Sequence, residues 1–271
     1  MTTIFLLILW SSFPWLFPQT SYLSLPSRGL CAHRGAMATF PENTLPAIRE
    51  AVRLGVAMIE LDARMTADSV IVLLHDATVN RTTNGSGKLR TLTLEEVKQL
   101  DAGSWKGACF SGTRIPTLAE SLAVIPSGIW INVHVKEGPV VSQKAAEVIY
   151  LQHKEAQAFL ACDTASASFV RRRFPEIMIC NMERQADTKD YVRLTLNTHS
   201  DFIQFFHTPI NDTLRICCER LKEAGIRINY YRGENAEEVR QLWKLGVDFV
   251  LVNDPAAIMK EMKESLSAPL F

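Results

Sequence analysis

The stretch Met58-Ile59-Glu60-Leu61-Asp62-Ala63-Arg64-Met65 reads as a β-strand. Side chains two residues apart share a face of a strand, so Glu60 and Asp62 point to one side while Ile59 and Leu61 point to the other. Both flanks are apolar enough to mark the strand as buried. Two carboxylates on one face of a buried strand are costly unless a cation or hydrogen bonds compensate them. Oxygen ligands of this type suit Mg²⁺ or Ca²⁺.

Outward from this strand, short apolar runs alternate with amphipathic segments, the pattern of βα units around a parallel sheet. The pattern predicts strands over Leu30–His33, Ala57–Asp62, Ile129–Val135, Ala158–Cys162, Ile177–Cys180, Phe202–Phe206, Ile226–Tyr230 and Phe249–Val252. Helices are predicted between them, from Thr44–Leu54 to Pro255–Ser265. About eight βα units close a (β/α)8 TIM barrel, so the fold class is α/β. One region breaks the rhythm. Val70–Leu74 is an extra short strand, and the run from Asp76 to Pro116 is too long for an ordinary connection. We read it as an insertion after the second strand that covers the C-terminal face of the barrel, where such enzymes carry their chemistry.

That face collects further reactive groups. His33 ends the first predicted strand, and Arg34-Gly35 follows it. His75-Asp76 follows the extra strand without an obvious structural reason. Imidazole exchanges protons near neutral pH, which suits His33 and His75 to acid–base work. The planar fork of Arg34 matches phosphate oxygens. In Ile131-Asn132-Val133-His134-Val135-Lys136 the polar residues share the inward face, where Lys136 could balance a phosphate charge or pair with Glu60 or Asp62. Asn43-Thr44 serves equally as a helix cap or a site element, and Glu42 stands between support and site.

Composition narrows the class. With 29 basic and 29 acidic residues in 271 there is no basic block, which argues against nucleic acid as a partner. The six cysteines lack CxxC spacing, so a structural zinc site is not expected. Ile4 to Phe17 is strongly apolar and the first basic residue is Arg28. Residues 1–28 therefore read as a signal peptide or membrane anchor, and residues 29–271 as one domain. The location this implies is secreted or periplasmic, with membrane proximity through an uncut anchor.

These motifs resemble the glycerophosphodiester phosphodiesterase family, a group of phospholipase-C-like phosphodiesterase barrels. The likeness runs from Leu30 to Pro255 through His33-Arg34-Gly35, Pro41-Glu42-Asn43-Thr44, Ile59-Glu60-Leu61-Asp62, His75-Asp76, Arg81 to Gly87, Ile115 to Leu118 and Gly246-Val247-Asp248. It implies that His33 and His75 are general acid and base, that Glu60 and Asp62 hold a divalent metal, and that Arg34 and Lys136 contact phosphate. The implied reaction is metal-dependent hydrolysis of a glycerophosphodiester to an alcohol and glycerol 3-phosphate. His134 stands where the family normally has a third carboxylate ligand. As a metal ligand it would widen the choice from Mg²⁺ or Ca²⁺ to Mn²⁺ or Zn²⁺. Tyr231 replaces a usual tryptophan at the substrate-binding mouth, and Asn253-Asp254 approximates a usual Thr-Asp. Two other readings are a related barrel acting on lysophospholipid or phospholipid, and a non-catalytic phosphodiester-binding barrel.

Overall fold

The computed structural model describes residues 24–267. Nine strands form one sheet: β1 (Gly29–Ala32), β2 (Met58–Met65), β3 (Ile71–Leu73), β4 (Trp130–Val135), β5 (Ala158–Cys162), β6 (Met178–Asn181), β7 (Phe202–Phe206), β8 (Arg227–Tyr231) and β9 (Phe249–Val252). All but β3 run parallel, and β1 pairs with both β2 and β9, which closes the barrel. The helices are α1 (Leu45–Leu54), α2 (Leu94–Gln99), α3 (Leu118–Val124), α4 (Pro139–Leu151), α5 (Thr164–Arg171), α6 (Thr188–Asn197), α7 (Asp212–Glu223), α8 (Ala236–Lys244) and α9 (Pro255–Ser267). The architecture is the expected (β/α)8 barrel, with strand ends shifted by up to three residues.

Alternation along the strands separates two cores. Ile59, Leu61, Ile131, Val133, Leu160 and Ile179 face outward and pack under the helices. Met58, Trp130, Phe159, Phe202 and Phe249 face inward and fill the lower barrel. There Phe159 stacks on Phe202 with centroids 4.0 Å apart, and Trp130 meets Phe202 edge-on at 5.4 Å. Such pairs add to the stabilisation from buried area. Large rings at the bottom leave the polar residues of the same strands to fill the top.

The expected insertion follows β2. The strand runs on to Met65 because Ala63, Arg64 and Met65 pair antiparallel with Leu73, Val72 and Ile71 of β3. The segment beyond has its own apolar cluster, including Leu74, Val79, Leu89, Val97 and Ile115. It also holds α2, which opens on a capping box between Thr93 and Glu96. Lys106 donates to the Met37 carbonyl at 2.8 Å, and Phe110 packs on Phe40 at 5.2 Å. These contacts seat the insertion on the β1–α1 connection, beside the C-terminal mouth.

Of the expected leader, residues 1–23 lie outside the described residues. Packing of the barrel begins before the expected boundary at residue 29, because Leu25 joins the inward core and Trp130 Nε1 donates to the Pro26 carbonyl at 2.9 Å. Among the described residues no helix is long and apolar enough to cross a membrane. All six cysteines are free.

The ring cluster is the main apolar filling inside the barrel. Phe159→Ala is expected to lower unfolding free energy by about 3–5 kcal/mol, the range for deleting a buried phenyl ring. Urea denaturation checks this, and a loss below about 1 kcal/mol would mean that the lower barrel closes readily over the gap.

Candidate active site

The C-terminal ends of several strands bring all the predicted residues but Glu42 and Asp62 to the lining of one cavity of about 260 Å³, formed by His33, Arg34, Glu60, His75, His134, Lys136, Arg184, Gln204, Phe206, Tyr231 and Leu251. A larger hollow of about 760 Å³ opens at the opposite face around Arg28, Trp130 and Arg227, and none of the predicted site residues lines it.

Asp62 sits at the centre, fully buried. Asn43 holds it at two points: Nδ2 donates to Asp62 Oδ2 at 2.8 Å, and Oδ1 accepts from the Asp62 amide at 3.0 Å. Arg34 Nε lies 3.1 Å from Oδ2, and Lys136 Nζ lies 2.9 Å from Oδ1. Neither cation is aligned for a hydrogen bond with those oxygens, so Asp62 Oδ1 has no hydrogen-bond partner. Burial acts to raise the Asp62 pKa. The charges of Lys136, His134 and Arg34 outweigh it and hold the carboxyl well below the usual range, hence ionised.

Glu60 lies one pleat below. It accepts from the Arg34 backbone amide at 3.0 Å, and His33 Nε2 is 3.9 Å away. Arg34 has φ 53° and Gly35 φ 76°, both left-handed. A Cβ on Gly35 would come 2.7 Å from the carbonyl carbon of Ala47, so glycine is required for this turn against α1.

His134 points at both carboxylates, with Nδ1 3.6 Å from Glu60 and 3.7 Å from Asp62. Its hydrogen bond is with Lys136, whose Nζ lies 2.9 Å from Nδ1. The ammonium is a donor only, so Nδ1 accepts, and Lys136 takes up its single lone pair beside the acids. Glu60, Asp62 and His134 offer one ligand atom each, all within 4.8 Å of one another. Two carboxylates, one of them with an oxygen that lacks a hydrogen bond, and an imidazole fit a divalent cation.

The two other histidines are each fixed through Nδ1. That of His33 donates to Asn253 Oδ1 at 2.8 Å, and that of His75 to Asp76 Oδ1 at 2.7 Å. Each ring thereby leaves its Nε2 free for proton exchange. Burial lowers the His33 pKa despite the opposing charge of Glu60, so the ring is neutral at pH 7. Tyr231 meets His33 edge-on at 4.9 Å.

One network was missed by sequence reasoning. Arg81 Nη1 and Nη2 donate to Glu42 at 2.9 and 2.8 Å, and its Nε donates to Asp76 at 2.7 Å. Glu42 also accepts from Arg34 Nη1 at 2.8 Å. Charged groups thus link Arg34, beside His33, to Asp76, beside His75. Arg64 adds a second anchor, with Nε donating to the His75 carbonyl at 3.0 Å. The only signals in the sequence were Arg81 and Asn43 inside family-like motifs. Asn43 does not cap α1; Thr44 takes the cap position, without a side-chain cap bond.

The sequence profile of the "Glycerophosphoryl diester phosphodiesterase family" matches residues 33–174. A glycerophosphodiester phosphodiesterase of Caldanaerobacter subterraneus is 31% identical over 239 residues, covering 86% of this chain and 97% of that protein. Among solved structures, a glycerophosphodiester phosphodiesterase from Agrobacterium tumefaciens superposes with a TM-score of 0.74 at 25% identity, covering 86% of this chain and 99% of that one. An Oleispira antarctica phosphodiesterase in complex with the product sn-glycerol-3-phosphate shares the fold, with a TM-score of 0.76 at 24% identity over 88% and 97% of the two chains. The fold and site define a phosphodiester-hydrolase barrel. The chain belongs to the glycerophosphoryl diester phosphodiesterase family.

The Arg81 network has a pH signature. The Arg81 hydrogen bond pushes the Asp76 pKa down to about 2. Burial acts to raise Glu42, but bonds and charge from Arg81 and Arg34 hold it below its ordinary value. Carboxyls lowered in the fold stabilise it fully above their ordinary pKa near ~4, and that contribution is lost as pH falls through the folded value. Arg81→Ala is therefore expected to cost about 1–2 kcal/mol at neutral pH, discounted for its half-exposed side chain. It should also flatten the fall in stability between about pH 4 and 2. Urea denaturation across that range checks both, and an unchanged acid limb would contradict the assigned partners.

Proposed function

We propose that this chain hydrolyses glycerophosphodiesters to an alcohol and glycerol 3-phosphate, with His33 and His75 making the proton transfers. The observation that carries the reading is that both rings line one cavity with Arg34 and Lys136, each with Nδ1 fixed by an oxygen acceptor. Binding alone needs no such pair, which argues against a non-catalytic barrel. Family membership and the relatives' names support the substrate class.

In the first step one histidine takes the proton of the glycerol hydroxyl next to the phosphodiester. That oxygen attacks phosphorus in line, and the other histidine protonates the departing alcohol. Water then opens the cyclic phosphate with the proton roles reversed, returning both rings to their starting states. Arg34 and Lys136 hold the phosphoryl oxygens, and Tyr231 shapes the mouth beside His33.

Glu60, Asp62 and His134 would hold a divalent ion. Bound there, it supplies charge neutralisation and orientation of substrate oxygens. Exchange of a carboxylate for His134 removes one negative charge and adds a softer nitrogen, favouring Mn²⁺ or Zn²⁺ more than an all-oxygen set would, alongside Mg²⁺ or Ca²⁺. Lys136 lies against Asp62 Oδ1, on the side from which these residues would hold the ion. Ile4 to Phe17 supports a leader or anchor that places the enzyme outside the cytoplasm.

Glycerol 3-phosphate release from glycerophosphoinositol and glycerophosphocholine, with each divalent ion in turn, tests the reaction. His33→Ala and His75→Ala are each expected to lower turnover at least ~100-fold while staying folded. Near-normal turnover in either folded variant would remove that histidine from the chemistry.

A further inference from the structure

One wall of the cavity is a stack of rings that the proton transfers do not use. Tyr231, against His33, stacks on Phe206 with centroids 5.2 Å apart and planes 9° from parallel. The Arg184 guanidinium carbon lies over the Phe206 ring, 4.5 Å from its centroid. Phe206 is 46% exposed although it is apolar, and both it and Arg184 line the cavity. The wall thus begins at a reacting histidine and ends on a cation at the mouth.

Nearby carboxylates do not neutralise that cation. Glu183 accepts from the Thr164 amide at 3.1 Å, and Asp187 caps α6 through the amides of Lys189 and Asp190. Among the described residues Arg184 makes no ion pair within 4.0 Å. Its exposed N–H donors are free to meet a ligand at the mouth.

This arrangement has a chemical consequence for the alcohol half of the substrate. A quaternary ammonium is recognised on open aromatic faces. Here Tyr231 and the guanidinium occupy the Phe206 ring, and the guanidinium repels a second cation. Hydroxyl oxygens, by contrast, accept from a guanidinium. Resting on the hydrolase reading above, we infer that Arg184, seated on Phe206, selects glycerophosphodiesters whose leaving alcohol is a polyol, such as inositol or glycerol, and disfavours choline and ethanolamine.

The test is the ratio of kcat/KM for glycerophosphoinositol over glycerophosphocholine in wild type, Arg184→Ala and Arg184→Glu. A ratio within one preparation is insensitive to a partial loss of folded enzyme. Wild type is expected to favour the inositol diester about tenfold or more, the scale of one close, partly screened charge contact. Arg184→Ala should bring the ratio near unity and Arg184→Glu should favour choline. Dissociation constants of the two diesters for His75→Ala, measured by calorimetry, read the same preference without turnover. If no diester is cleaved, the proposed reaction fails while the binding preference still decides this inference. Equal constants for the two diesters, or a ratio unmoved in Arg184→Glu, would overturn it.

Discussion

The structure turns on a carboxylate that must stay charged inside the barrel. An isolated Asp62 at full burial would cost several kcal/mol and would protonate instead. The fold meets that constraint from three directions. Asn43, held at φ 56° before α1, donates one hydrogen bond to the carboxylate and accepts another from the Asp62 amide; Arg34 leans in from the turn after β1; Lys136 rises from the end of β4. The polar motifs after β1 and along β4 can thus be understood as parts of one solution.

Charge balance carries the same point further. Glu42, Glu60, Asp62 and Asp76 stand against the fixed cations Arg34, Arg81 and Lys136, four against three. A glutamate at position 134 would widen the deficit, whereas His134 adds no negative charge. Within this ion-paired set, which Arg184 at the mouth does not join, the excess of negative charge, with Asp62 Oδ1 lacking a hydrogen bond, suits Glu60, Asp62 and His134 to one more cation. Through Glu42 and Arg81 the same charges also fix the insertion to the β1–α1 connection. His33 and His75 are therefore not held independently.

Much of this was legible because strand alternation is local. It placed Glu60, Asp62, His134 and Lys136 on the inward face before any contact was known, and the strand-end position marked His33. Arg81 was not legible, since its partners Glu42 and Asp76 meet only when the insertion folds back over the β1–α1 connection. Arg184 and Phe206 come from different βα units, and nothing local signals that a guanidinium will lie on that ring. The resemblance implies that His134 stands where the family has a third metal ligand. Its actual hydrogen-bond partner is Lys136, two residues along the same face, a competition that spacing suggests only once both side chains are seen to turn toward Asp62.

The central claim is that Lys136 compensates Asp62 at the position where Glu60, Asp62 and His134 would bind a divalent ion. Calorimetric titration of Mn²⁺, which accepts both oxygen and nitrogen ligands, into wild type, His134→Ala and Lys136→Met tests this most directly. The account predicts opposite shifts in Kd: weaker binding when the imidazole is removed, and tighter binding when the competing ammonium is removed. Weaker or unchanged binding in Lys136→Met would contradict the competition, and unchanged binding in His134→Ala would exclude His134 as a ligand.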